Sequence, residues 1–569
     1  MKVLKLIKEL TKYIIIMIIF SIVQVFCELY LPEIMSNIVD IGISNSDNAF
    51  IINKSIIMFT ITILGVISNI IVVYSTSKFS NTYGYKIRKA LYTKINTLSK
   101  KEIDSFGAST LITRSTNNVS NITSTFSFGL RLIIFAPVMG LGAAIMGYKT
   151  ASVLAPIIII SITILITALL IVFIVVFPKF EYVQKLLDKL NATSREILSG
   201  LRVIKSFNKQ SFFKKRFDKV NKENMNLNIF LNKILYLVNP LMILIVNIST
   251  IAIIYLSTNF LLDGTLEIGA MMAFIQYMAT VLMSFLMLLV ILLNIPRVVV
   301  SFKRINEILN VEPSIVNTGK LKINTLESIE FKNVYFKYDG AHDDMLKNIN
   351  FRIEKGETVG IIGSSGSGKT TIINLLLRHI DATDGNIYIN GIDIKEYDIE
   401  SLRKIFSYTP QKSLLFKGSL RENLAFGSKI SSNVLDEVLK TAAISDFVEK
   451  NEEGYNYKVE QSAVNLSGGQ KQRMSIARAL LSGGEALLFD DSFSAVDYIT
   501  DKKIRNEIEK NYDDKMVILV TQRVGTIKDS DKIIIIEEGK IDSVGDYETL
   551  EKTSKVFKEF INSQKREVL

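Results

Sequence analysis

Val359-Gly360-Ile361-Ile362-Gly363-Ser364-Ser365-Gly366-Ser367-Gly368-Lys369-Thr370-Thr371 decides the reading of this chain. An aliphatic run ends in a loop of Gly and Ser, which delivers Lys-Thr into an apolar helical stretch, Ile372 to Leu377. A phosphate-binding loop requires that setting, a strand before and a helix after. Bare glycines let successive backbone N–H groups converge on phosphate oxygens, and the helix N-terminus adds positive potential. Lys369 can reach β- and γ-phosphates, and the Thr370 hydroxyl can ligate Mg²⁺. A flexible Ser/Gly linker would not run at once into Lys-Thr and an apolar helix. The nucleotide-facing set is therefore Gly363, Ser364, Ser365, Gly366, Ser367, Gly368, Lys369, Thr370 and Thr371.

Short β-rich runs flank this loop: Thr358–Ile362, Asn386–Ile389, Ala486–Phe489, Val517–Val520 and Lys532–Ile536. Strands alternating with helical stretches predict an α/β sheet domain of about 240 residues, 328–569. Ala486-Leu487-Leu488-Phe489 precedes Asp490-Asp491, a buried strand delivering an acid where a second Mg²⁺ contact is needed. Leu466-Ser467-Gly468-Gly469-Gln470 opens another helix with a Ser hydroxyl and bare glycine amides, suited to a phosphate. One nucleotide does not need two such sites, unless the second serves a partner chain.

Upstream the composition changes. Of 569 residues 48% are hydrophobic and 22% charged, which suits an apolar membrane part joined to a charged globular part. Uncharged or nearly uncharged runs at about 13–32, 55–77, 132–148, 150–178, 234–262 and 268–296 predict six spans, broken only by Glu28 in the first. Residues 1–310 thus read as a transmembrane domain and 311–327 as a linker, within a charged connection covering 297–327. The lone Cys27 excludes a disulfide framework, and two histidines exclude a histidine-rich metal site. The net charge of +11 is largely topological. Lys2, Lys5, Lys8 and Lys12 precede the first span; segments 78–131 and 179–233 carry nine and thirteen basic residues, whereas 33–50 and 263–267 carry none. That alternation predicts a cytoplasmic N-terminus and nucleotide domain at the cell membrane, accounts for the basic excess without nucleic acid as a partner, and leaves the lipid bilayer as the partner of the spans. The two basic segments, free of Pro, read as helices projecting into the cytoplasm, turning near Ser109–Asn118 and Phe207–Lys214. Glu28 is a candidate for the substrate path, or lies near the outer interface where its cost is small.

The phosphate loop, Leu466–Gln470 and the strand acid, in this order, resemble the ATP-binding cassette (ABC) family, and six spans with two long projections resemble its exporter-type half-transporters. The resemblance covers nearly the whole chain. It implies an α/β P-loop NTPase (ABC) domain behind a six-helix transmembrane bundle, ATP and Mg²⁺ as ligands, and two cassettes sandwiching ATP between one chain's phosphate loop and the other's signature loop. It also implies roles for particular residues. Tyr338 matches the aromatic that stacks on adenine. Gln411 matches the glutamine that contacts Mg²⁺ and water, joining Thr370 and Asp490 as metal contacts. Leu466, Ser467, Gly468, Gly469 and Gln470 would complete the partner's site, and Ser494-Ala495-Val496-Asp497 matches the loop that signals between sites.

Two positions depart from that pattern. Asp491 stands where the family has the glutamate that polarises the attacking water, and Thr521-Gln522-Arg523 places Gln522 where it has the switch histidine. Aspartate is one methylene shorter, leaving its carboxylate more than ~1 Å short of the water, and misplacement on that scale costs about 10²-fold in rate. Gln522 can hydrogen-bond a phosphate but cannot shuttle a proton. The expectation is a site that binds ATP and hydrolyses slowly. Such paired changes resemble the asymmetric, multidrug-type heterodimeric exporters, with a competent second site and small amphipathic or apolar cargo. A slow homodimeric exporter of lipid or peptide cargo and an ATP-regulated channel are the alternatives.

Overall fold

The computed structural model describes residues 6–566, so Lys2 and Lys5 lie outside the described residues. The chain separates into two compact units. One runs to Thr97 and resumes over Phe106–Val311; the other comprises Leu98–Ser105 and the chain from Glu312 onward.

The first unit is built from α1 (Thr11–Asn37), α2 (Asn48–Asn96), α4 (Ala108–Ser115), α5 (Asn117–Thr150), α6 (Ala155–Ser199), α7 (Leu201–Ser206), α8 (Gln210–Leu262) and α9 (Ile268–Asn310); α3 (Lys100–Phe106) lies in the excursion to the second unit. Among the described residues, six helical stretches are long and apolar enough to cross a membrane: Lys8–Ile43, Asn48–Asn96, Ala108–Thr150, Ser152–Val176, Gln210–Leu262 and Ile268–Leu288. With 49 and 53 residues, α2 and α8 are each about 75 Å long at ~1.5 Å per residue, over twice the ~30 Å hydrocarbon thickness. The projections are therefore continuations of the spans. Helix α9 packs along α5, α1 along α2, and α6 along α8, where Ser161 and Ser249 share a buried hydrogen bond of 2.8 Å.

Prolines do not end the spans as the sequence suggests. Pro32, Pro178 and Pro296 all lie inside helices, and α9 runs to Asn310 through what reads as a charged connection. Neighbouring helices and local adjustment tolerate the one lost hydrogen bond in a membrane helix. The first turn is also displaced. The chain leaves α2 at Thr97, forms the short α3, and breaks at Gly107 (φ +74°), whereas Ser109–Ser115 is helical. Glu102 holds this bend within the second unit: its buried carboxylate accepts from the Ser99 N–H (2.8 Å) and the Ser314 N–H (3.2 Å). The second bend lies between α7 and α8.

In the second unit, strands β1 (Ser328–Phe336), β2 (Leu346–Glu354), β4 (Asp384–Ile389) and β5 (Ile392–Asp393) form an antiparallel sheet in the order β2-β1-β4-β5. The larger sheet joins β3 (Thr358–Gly363), β6 (Phe406–Thr409), β9 (Ala486–Asp490), β10 (Met516–Thr521), β11 (Lys532–Glu537) and β12 (Lys540–Gly545) in the order β12-β11-β3-β10-β9-β6. A two-residue pair, β7 (Gly418–Ser419) and β8 (Lys458–Val459), completes the strands. Parallel strands buried on both faces read as unbroken aliphatic runs. Successive residues then serve opposite cores: Ile518, Val520, Ile534 and Ile536 pack in one cluster with β1 and β2, whereas Val517, Leu519, Ile533 and Ile535 pack in another with the helical side. Because β10 lies between β3 and β9, three C-terminal strand ends emerge side by side, where open parallel sheets bind ligands.

Candidate nucleotide site

The phosphate loop leaves β3 at Gly363, the acid pair leaves β9 at Asp490, and Gln522 follows β10. They converge on a cavity of about 220 Å³ also lined by Tyr338, Gln411 and Met345. Gly363 has no room for a side chain: a Cβ there would lie 2.2 Å from the Ile536 carbonyl oxygen. Gly368 turns into the helix Lys369–Leu376 at φ +104°, a conformation that glycine adopts without penalty. Lys369, buried under the loop, donates from Nζ to the carbonyls of Gly363 (2.8 Å) and Ser364 (2.7 Å) and, weakly, to Ser367 Oγ (3.5 Å). Burial pushes its ammonium below the usual lysine range, against the pull of Asp491 and Asp490. Ser365, Gly366, Thr370 and Thr371 line the same cavity.

Thr370 Oγ1 donates to Asp490 Oδ1 at 3.0 Å. Asp490 is 1% exposed, and burial raises its carboxyl above the usual range, with Asp491 adding to the effect. Tyr408, which the sequence reading missed, offers its hydroxyl to Asp490 Oδ2 at 3.5 Å. A hydroxyl beside a buried carboxylate fits Mg²⁺, which takes one or two protein oxygens and fills its remaining positions with phosphate and water. Asp491 has φ +49°, its N–H donates to the Val520 carbonyl (2.7 Å), and its Oδ2 accepts from Gln411 Nε2 at 3.4 Å. Tyr338, also lining the cavity, is 41% exposed and edge-on to Phe336, with its hydroxyl 3.1 Å from Thr371 Oγ1.

The second glycine-bearing segment does not line this cavity. Ser467 caps the helix Gly468–Leu481 in a reciprocal box: its hydroxyl accepts from Gln470 N–H (3.2 Å), and Gln470 Oε1 accepts from Ser467 N–H (2.8 Å). Leu466 is buried beneath while Ser467 and Gly468 face outward. The segment Ser494–Asp497 packs behind these glycines: Ala495 N–H donates to Gln472 Oε1 (2.9 Å), and a Cβ on Gly469 would lie 3.2 Å from the Ala495 carbonyl. Ser494 Oγ reaches back to the Asp491 carbonyl (2.8 Å), and Asp497 caps the next helix by accepting from Thr500 N–H (3.0 Å). One loop therefore touches the acid of this cavity at one end and the outward-facing helix start in its middle. In the first unit, Glu28 is half-buried and accepts from Gln24 Nε2 at 2.8 Å on its own helix.

Sequence comparison agrees with this architecture. The ABC transporter profile matches residues 346–494, and the ABC transporter transmembrane region matches residues 14–285. An uncharacterized ABC transporter ATP-binding protein of Mycobacterium tuberculosis is 33% identical over 551 residues, covering 96% of this chain and 94% of its own length. The chain belongs to the ABC transporter family. A Rickettsia typhi protein named as an export ATP-binding/permease protein is 30% identical, with 99% of each chain covered. Among solved structures, a bacterial Atm1-family ABC exporter with ATP bound superposes with a TM-score of 0.80 over 98% of each chain at 21% identity, a likeness of fold. This ABC half-transporter thus carries the exporter-type transmembrane region and the ATP-binding domain in one chain. Sequence reading missed Tyr408, Gln472 and Arg523 because a lone Tyr, Gln or Arg carries no local signal; only their long-range partners single them out.

Proposed function

We propose that this ABC chain is one half of a heterodimeric exporter, pairing a slow ATP site built on its own phosphate loop with a competent site completed by its own Leu466–Gln470. One observation carries the reading: Asp491 and Gln522 stand at the cavity where a longer acid and a histidine would act, while the binding residues Lys369, Thr370 and Asp490 and the outward-facing Ser467 helix are intact. Lys369 would exchange its loop carbonyls for phosphate oxygens, Thr370 and Asp490 would hold Mg²⁺, and Tyr338 would stack on adenine. The carboxylate of Asp491, one methylene shorter than the family's glutamate and 3.4 Å from Gln411 Nε2, would stop short of an attacking water. Closure of the two cassettes on ATP would turn the spans from inward- to outward-facing and release a small amphipathic or apolar cargo outside the cell membrane, with both cassettes cytoplasmic. The absence of a charged cluster in the spans supports that cargo class. The test is gentle purification of the tagged chain from its native membrane. A second protein of similar size at equal stoichiometry, carrying Glu after its strand acid and a switch His, is the expected result. Recovery of this chain alone, twice per complex, would overturn it and make Asp491 the working base.

A further inference from the structure

The last described helix, Lys555–Arg566, docks through Phe557 (0% exposed) and Ile561 (6% exposed) into the helical-side core. Residues 557, 561 and 564 share one helix face by their i, i+4, i+7 spacing. These two anchors aim Gln564 at the segment that follows β10. Its Nε2 donates to the Gln522 carbonyl at 2.7 Å, and its Oε1 accepts from the Val524 N–H at 2.9 Å. A donor meets a carbonyl and an acceptor meets an N–H, so these partners fix the orientation of the amide. Between the two tied residues, Arg523 sends its guanidinium to two carbonyls of the signalling loop, Val496 (3.1 Å) and Ser494 (2.7 Å), and to that of Phe493 just before it (3.3 Å). A single side chain thus holds the backbone on both sides of Arg523, at the residue whose side chain lines the nucleotide cavity.

We infer that Gln564 is a positioning residue for ATP turnover, through which the C-terminal helix sets the register of Gln522 at the cavity and of Arg523 on the signalling loop. Without it the segment 522–524 still follows β10 but loses the two bonds that fix where Gln522 and Arg523 point. A misplacement on the ~1 Å scale slows a reaction far more than it weakens binding. The inference rests on the proposed function in one respect: in a heterodimer, whose own-loop site is slow, turnover is lost through Arg523 and the Ser494–Asp497 segment packed behind the Ser467 helix start, whereas in a homodimer it is lost through Gln522 as well; purification stoichiometry separates the two.

The test uses the full-length transporter in lipid, with whatever subunit accompanies it. Gln564→Ala is expected to lower ATP turnover about tenfold while leaving KM for ATP within about twofold, and to speed hydrogen exchange at the Val524 amide. Asn562→Ala, on the exposed side of the same helix, is the control for helix stability and should match the unsubstituted protein. Turnover of Gln564→Ala within about twofold of that protein overturns the proposal, as does an unchanged exchange rate at Val524. If Gln564→Ala melts well below the control, Gln564→Glu decides, because it keeps an acceptor for Val524 but turns a carboxylate oxygen, which cannot donate, on the Gln522 carbonyl. Turnover lowered more than about twofold then supports the proposal, and turnover within about twofold of the unsubstituted protein overturns it.

Discussion

At Asp491 the left-handed backbone and the short side chain act together. Asp and Asn tolerate φ near +50° better than longer residues, so part of the fit is local. Asp491→Glu combined with Gln522→His should raise single-turnover hydrolysis at this chain's site by about 10²-fold, since the added methylene restores reach and the imidazole restores a proton carrier. The cost in stability should stay below about 1 kcal/mol, checked by thermal melting of both forms. A second titratable residue acts on stability alone. Burial, with Arg403 and Lys100 nearby, lowers His379 to about 4. The native state therefore prefers the neutral ring. The associated stability is complete above the ordinary pKa of ~6.5 and is lost as pH falls toward 4, at most about 2 kcal/mol by pH 5. His379→Gln should narrow the difference between melting temperatures at pH 7 and pH 5; an unchanged difference would show that the ring is protonated without penalty.

Elements were legible where their signal is local. The aliphatic runs at Thr358–Ile362, Ala486–Phe489, Val517–Val520 and Lys532–Ile536 lie within β3, β9, β10 and β11, because a strand buried on both faces can hardly be anything but apolar. Strands β1 and β2 escaped notice, since their alternating patterns, Ser328–Phe336 and Leu346–Glu354, mix Lys, Asn and Arg with the aliphatics. The bend at α3 was misplaced for a related reason: its holding contact, Glu102 to Ser314, spans 212 positions. The helix beginning at Gly468 is the opposite case, with its capping box written in Ser467 and Gln470. Ser467→Ala should cost about 1 kcal/mol, lowering the melting temperature of the second unit by about 2–4 °C. ATP binding to this chain's own phosphate loop should not change, because Ser467 lies outside that cavity. A weaker nucleotide titration at Lys369's site would contradict the geometry.

Across the whole molecule, the alternation of basic segments makes a topological prediction. With Cys27, buried and the sole cysteine, replaced, a cysteine at Thr265 should react with an impermeant maleimide in intact cells, whereas one at Lys209 should react only after permeabilisation. The reverse pattern would place the nucleotide domain outside and end the exporter reading. The sequence by itself determined the six apolar stretches, the α/β domain behind them and the order of phosphate loop, signature segment and strand acid. Each of these is carried by neighbouring residues whose spacing reflects a local period or a single loop. Tertiary structure alone decided which of those residues meet. It put Tyr338, Lys369, Gln411, Asp491 and Gln522 on one cavity, kept Ser467 away from it, ran the helices through their prolines, and tied Gln522 to Gln564. The physical reason is that parallel strands place sequence-distant ends side by side, and a hydrogen bond between residues far apart in the chain leaves no periodicity for the sequence to display.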